Sequence, residues 1–117
     1  MLWGYSRAYA EAVVFTCTEA GTKIIATTDV DADYVRVVTS VMCYTSTPAV
    51  TLCFLRQKYG ATTIRLAVNA ALGANTPLHN IGDIILKADD YLEFEAAGTI
   101  IGTSMRIYAS GYEMKVG

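Results

Sequence analysis

Glu93 and Glu95 stand two apart in GDIILKADDYLEFEAA, residues 82–97. Paired carboxylates can cleave glycosidic bonds when they flank a sugar at about 5 Å or about 6.5–9.5 Å from each other. Residues two apart on a strand share a face, so this pair is also what any solvated strand face supplies. DVDAD at 29–33 sets Asp29, Asp31 and Asp33 at alternate positions, like the start of a calcium loop. The pattern then stops: Tyr34 stands where the loop needs glycine and Ser40 where it needs glutamate. A polar β-turn accounts for it better.

Nucleophilic chemistry has little to work with. His79 is the only histidine, and Ser6, Ser40, Ser46, Ser104 and Ser110 all lie outside G-x-S-x-G. Cys17, Cys43 and Cys53 have no C-x-x-C spacing and no histidine close in sequence, which argues against zinc and against a Cys/His pair. An odd number of thiols with no close pairing reads as reduced, buried cysteine made in a cytoplasm. The G-x-x-x-G at 98–102 is not followed by G-K-[ST] and holds no phosphate. The residues therefore imply no catalytic set, no metal ligands and no cofactor.

Composition narrows the classes further. Of 117 residues, 53% are hydrophobic and only 17% charged, against about a quarter charged in an ordinary soluble domain. An apolar surplus of this size implies that part of the surface is covered by a neighbour. The nine basic residues are scattered and the net charge is −2, so binding nucleic acid through its phosphates is not expected. No apolar run approaches the roughly 18 residues of a membrane span, and MLWGYSRAYAEAVVF lacks the form of a secretory signal.

These residues must be carried by strands. Thr, Val, Ile and Tyr are abundant, and turn signals recur at EAGT, DVDAD, TSTP, KYGAT, GANTP, IGD, ADD and AAGT. The spacing predicts strands at roughly 11–18, 22–27, 34–44, 49–57, 62–68, 78–87, 91–96 and 99–115, the last bent or split at Gly111. Gly82-Asp83 and Ala88-Asp89-Asp90 read as turns. Windows 5–14 and 64–72 come closest to helical periodicity. Several short strands at this spacing indicate a sandwich or barrel. YVRVVTSVMCY at 34–44 is apolar on both faces, with Val35, Val37, Val41 and Cys43 on one and Val38, Met42 and Tyr44 on the other. Such a strand is central or lies at a subunit contact, and TLCFL at 51–55 reads the same way.

Residues 1–10 read as an arm ahead of a single β domain, residues 11–117. The arm carries Leu2, Trp3, Tyr5 and Tyr9, which make sense docked on a neighbour, since an aromatic terminus otherwise frays. Tyr91 and Tyr108 fall on the polar faces of their strands, beside Glu93 and Arg106. Exposed aromatics there suit a protein interface or a sugar platform. Leu2, Trp3, Tyr5, Tyr9, Tyr91 and Tyr108 are thus the candidate interface.

Four segments carry a family likeness: IIATTDVDADY at 24–34, AVTLCFL at 49–55, GDIILKADDYL at 82–92 and IYASGYEMKV at 107–116. In this layout the chain resembles small bacteriophage virion proteins, either capsid decoration (cement) proteins or tail and fibre components. The resemblance implies an all-β, jelly-roll-like antiparallel β-sandwich of about eight strands. It also implies a homo-oligomer, often a trimer, seated on major capsid or tail proteins in the virion after synthesis in the host cytoplasm. That family has no catalytic set, so no site residue transfers. The alternative of a different class is a carbohydrate- or receptor-binding module using Trp3, Tyr91 and Tyr108.

Overall fold

A computed structural model of the chain describes residues 6–46, 52–70 and 77–116. Eight strands account for most of them: β1 (Ser6–Thr16), β2 (Gly21–Ala26), β3 (Tyr34–Thr45), β4 (Leu52–Tyr59), β5 (Thr62–Ala70), β6 (Leu78–Leu86), β7 (Tyr91–Thr99) and β8 (Ser104–Lys115). They form two four-stranded antiparallel sheets: sheet A, in the order β1-β8-β3-β6, and sheet B, in the order β2-β7-β4-β5. The first strand pairs with the last, the second with the seventh, the third with the sixth and the fourth with the fifth. This is one long hairpin, tipped at β4–β5 and rolled into two layers, the strand order of a jelly roll. The chain is an all-β jelly-roll sandwich.

Apolar alternation explains which side of each strand turns inward. Ile25, Leu55, Leu92, Phe94 and Ala96 of sheet B meet Val38, Val41, Cys43, Leu86, Met105 and Ile107 of sheet A in one core. Both strands that read as apolar on two faces are central: β3 lies between β8 and β6, and β4 between β7 and β5. The windows with helical periodicity, 5–14 and 64–72, are strands wherever they are described. β-branched and aromatic side chains pack better on a pleated surface than on a short isolated helix.

Four sequence expectations are corrected. Residues 6–10 of the supposed arm are the first half of β1, paired in register with β8 from Ser6↔Met114 to Ala10↔Ser110. Gly82-Asp83 is not a turn but an irregularity within β6, where the β3 register jumps between Val38 and Ser40 and Gly82 takes φ 146°. The turn expected at 96–99 lies later, at Ile100–Thr103, closed by Thr103 N–H donating to the Ile100 carbonyl. Gly98 stays inside β7 at φ 78°. Finally, β8 is neither bent apart nor split at Gly111.

The jump between Val38 and Ser40 also reassigns a face. Strict alternation groups Val35 and Val37 with Val41 and Cys43. Thr39 is the extra residue, and after it the parity changes. Val38, Val41 and Cys43 therefore face the core, and Val35, Val37, Met42 and Tyr44 face outward, opposite Met114, Tyr112, Tyr108 and Arg106 of β8.

Candidate functional site

The acidic pair is answered by β4. Register puts Arg56 opposite Glu93 and Phe54 opposite Glu95, on the outer face of sheet B. One guanidinium nitrogen, Arg56 Nη2, lies 2.8 Å from Glu93 Oε1 and 2.7 Å from Glu95 Oε1. Both carboxylates are held by one cation on a sheet face, and that arrangement is a cross-strand ion cluster. Arg56→Ala leaves the two carboxylates side by side without their cation. Glu93 is buried and Arg56 and Glu95 are half-buried, so the expected loss lies between the values for surface and buried pairs, about 2 kcal/mol by urea denaturation. Glu95→Gln should cost under about 1 kcal/mol.

DVDAD is the loop between β2 and β3. Arg7 Nη2 meets Asp31 Oδ2 at 2.9 Å, the Asp31 carbonyl accepts from Tyr34 N–H, and Asp33 sits at φ 67° with its carbonyl accepting from Val116 N–H. Beside it opens a cleft of about 460 Å³, lined by Tyr9, Glu11, Thr28, Asp29, Asp31, Arg36 and Glu113. Its buried groups are already matched to one another. Arg36 Nε donates to Glu113 Oε2 at 2.8 Å and its Nη1 donates to the Thr28 carbonyl at 2.7 Å. Arg7 Nε takes the other Glu113 oxygen, and Glu11 accepts from Tyr9 Oη, Thr28 N–H and Thr28 Oγ1. The Arg36 guanidinium also lies 4.1 Å from the Tyr9 ring centre. The network locks the β1, β3 and β8 ends to the loop. Glu11, Asp31, Glu113, Arg7 and Arg36 are thus engaged within the protein, and Asp29 is exposed.

The candidate interface residues do not converge. Leu2, Trp3 and Tyr5 lie outside the described residues. Tyr9 is buried, and burial together with its bond to Glu11 pushes its phenol well above the ordinary tyrosine range. Tyr91 is half-buried on the outer face of sheet B, beside Lys58. Tyr108 is half-buried on the outer face of sheet A, at the other side of the sandwich. His79, expected at a loop edge, is an exposed strand residue of β6 opposite Met42. The three cysteines are buried and unpaired, and burial pushes the Cys53 thiol up to about 11.

Tyr108 does mark a surface. On β1, Ser6, Ala8, Ala10, Ala12, Val14 and Thr16 point outward; on β8, Ser104, Arg106, Tyr108, Ser110, Tyr112 and Met114; on β3, Val35, Val37, Ser40, Met42 and Tyr44. Among these side chains Arg106 is the single charge. It is held within its own sheet, 3.5 Å from both Tyr44 Oη and Tyr108 Oη. Val14 is 56% exposed and Ile85, at the β6 edge, 58%. Sheet B presents the opposite character: its outer face carries Glu93, Glu95, Arg56, Lys58 and Arg65. One face of this sandwich therefore carries five charges beside exposed Ile24 and Val68, and the other is nearly free of charge. Sequence reading missed the second face because its residues come from β1, β8 and β3, which lie far apart in the chain. The alternation A-x-A-x-A-x-V at 8–14 was the available signal.

The Tyr44 hydroxyl, and next the Arg106 guanidinium, hold the Tyr108 phenol below the ordinary tyrosine range. In an alkaline absorbance titration Tyr108 is expected to ionise early, and Tyr44→Phe to delay it. An unchanged titration in that variant would refute the hydrogen bond.

No protein-family model matches the sequence, and no curated protein does. Among solved structures, one of infectious bursal disease virus, Gx strain, is similar, with a TM-score of 0.48 and 19% sequence identity over 95% of this chain. The chain spans about a third of that chain's length, 32%.

Proposed function

We propose that this protein is a non-enzymatic structural component of a virion, binding copies of itself and neighbouring virion proteins through the outer face of sheet A. The observation that carries this reading is that face: three long strands with one self-contained charge, set against a charged face on the other sheet. Removing such a surface from water contributes about 25 cal/mol per Å² of apolar area, and repetition on a lattice multiplies weak contacts. Jelly rolls serve viral capsids, lectins and cupins alike, so the fold alone does not choose among them. The choice rests on the surface, together with the four segments that resemble bacteriophage decoration, tail and fibre proteins. Within that class the chain is a capsid cement protein or a tail or fibre component, made in the host cytoplasm.

The sugar-binding alternative needs its aromatics on one platform. Tyr91 and Tyr108 stand on opposite faces of the sandwich, and neither lines a described cleft. The test is quantitative mass spectrometry of purified particles from the source. This chain is expected in many copies per particle, in fixed ratio to the main shell or tail protein. Particles that lack it would overturn the proposal.

A further inference from the structure

We infer that a second copy of this chain docks face to face on the outer surface of sheet A, about a two-fold axis parallel to the strands and between β8 and β3. The inference rests on reading that surface as the one used for assembly, and it commits the surface to the chain itself. Size comes first. Four strands about 4.8 Å apart, with roughly nine residues each at about 3.4 Å, span about 600 Å² in flat projection. Side-chain relief raises this toward the ~800 Å² per partner of a stable interface.

Charge is the second argument. A charged partner would find little to pair with: Arg106 is the one charge facing outward on β1, β8 and β3, Tyr44 and Tyr108 already engage it, and β6 adds exposed Asp83 at the edge. A surface as uncharged as this one matches it, and a second copy supplies that surface. With the axis between β8 and β3, Arg106 meets the partner's Tyr44 rather than the partner's Arg106, so no like charges oppose each other.

Relief is the third. Ala8, Ala10 and Ala12 make β1 a low, exposed column at one side of the face. Ile85 and His79 stand up from β6 at the other side. The two-fold lays each low column under the high one, so that i meets j and j meets i, as an isologous contact requires. Tyr108 then covers the partner's Met42, which is 37% exposed in the single chain. Exposed Asp83 sits midway along β6, the edge strand of the face, so its carboxylate belongs to the solvated rim of the contact.

Sedimentation velocity and native mass spectrometry of the purified chain test this. A dimer is expected at roughly 50 μM, well above the dissociation constants of standard-size interfaces. It should persist to about 1 M salt, where the Debye length is ~3 Å and exposed ion pairs are screened. Ala12→Arg and Met42→Arg should each weaken it on the order of 100-fold by burying an unpaired charge. Ile24→Lys, on the outer face of sheet B, should leave it unchanged. Circular dichroism checks that each variant is folded. Hydroxyl-radical footprinting of the unmodified chain needs no variant: Met42, Tyr108 and Tyr112 should be protected in the dimer and Tyr91 not. A monomer, a trimer, or a dimer that survives both arginine substitutions would overturn the inference. A dimer formed through this face by a chain absent from particles would uphold the contact and refute the virion role. A particle-bound chain that is monomeric in solution would do the reverse.

Discussion

Glu113→Ala is expected to lower stability by about 3–5 kcal/mol, the cost of stripping a buried charge of its partner. For a chain of this size that is a fall in Tm on the order of 10–20 °C. Glu113 gives one oxygen to Arg7 and the other to Arg36. The two partners differ in burial: the Arg7 side chain is 40% exposed and the Arg36 side chain 4%. Arg7 can turn to water when Glu113 is lost, and it keeps Asp31 at 2.9 Å. Arg36 is held in the wall of the cleft by the Thr28 carbonyl and the Tyr9 ring, so most of the penalty falls on it. Arg7→Ala should therefore cost far less than Glu113→Ala by the same measurement. The double variant Arg36→Met, Glu113→Leu should recover most of the loss, because it removes both buried charges together. A Glu113→Ala protein as stable as the parent would show that Arg36 is not confined as described.

Gly111→Ala is expected to be comparably damaging, about 3 kcal/mol or more, at the severe end of overpacking. A Cβ built on Gly111 would lie 1.9 Å from the Val37 carbonyl oxygen and 3.0 Å from the Thr39 nitrogen. Both are backbone atoms of β3, so no rotamer change relieves the clash; the central β3–β8 pair must open. Gly60→Ala is the control. A Cβ there meets nothing within 4 Å, and the change costs only the left-handed backbone penalty at φ +56°, about 1 kcal/mol. Urea midpoints for the two variants should differ clearly, and equal midpoints would refute the close approach at Gly111.

That glycine shows what was legible in the sequence and what was not. Its position suggested a break in the last strand, because glycine inside a strand often marks a bend. The strand in fact runs through, and glycine is needed because β3 bulges toward it at Thr39. A bulge is set by the pairing of two strands some seventy residues apart in sequence, so local pattern cannot show it. The same bulge reverses the outward and inward sides of β3, which is why Val35 and Val37 read as companions of Val41 and Cys43. The alternation of β7, with no bulge opposite Leu92 to Glu95, was read correctly residue by residue.

The site divides in the same way. Glu93 and Glu95 were legible as neighbours on an outward face, since two-residue periodicity is local. That Arg56 lies between them was not, because it depends on the β4–β7 register. Tyr91 and Tyr108 both read as outward aromatics on polar strand faces, and only the assignment of β7 and β8 to different sheets separates them by the thickness of the sandwich.

Composition and alternation alone established an all-β chain of short strands with turns near Asp29–Asp33 and Ala88–Asp90, two central strands and more apolar surface than one core consumes. These properties are sums or local periodicities, and each residue reports them independently of where the chain folds. Which strands share a sheet, where β3 slips by one residue, and which outer face is left without charge came only with the rolled hairpin. They depend on strand pairings across most of the chain's length, and a one-residue change in register moves every side chain of a strand to the other side.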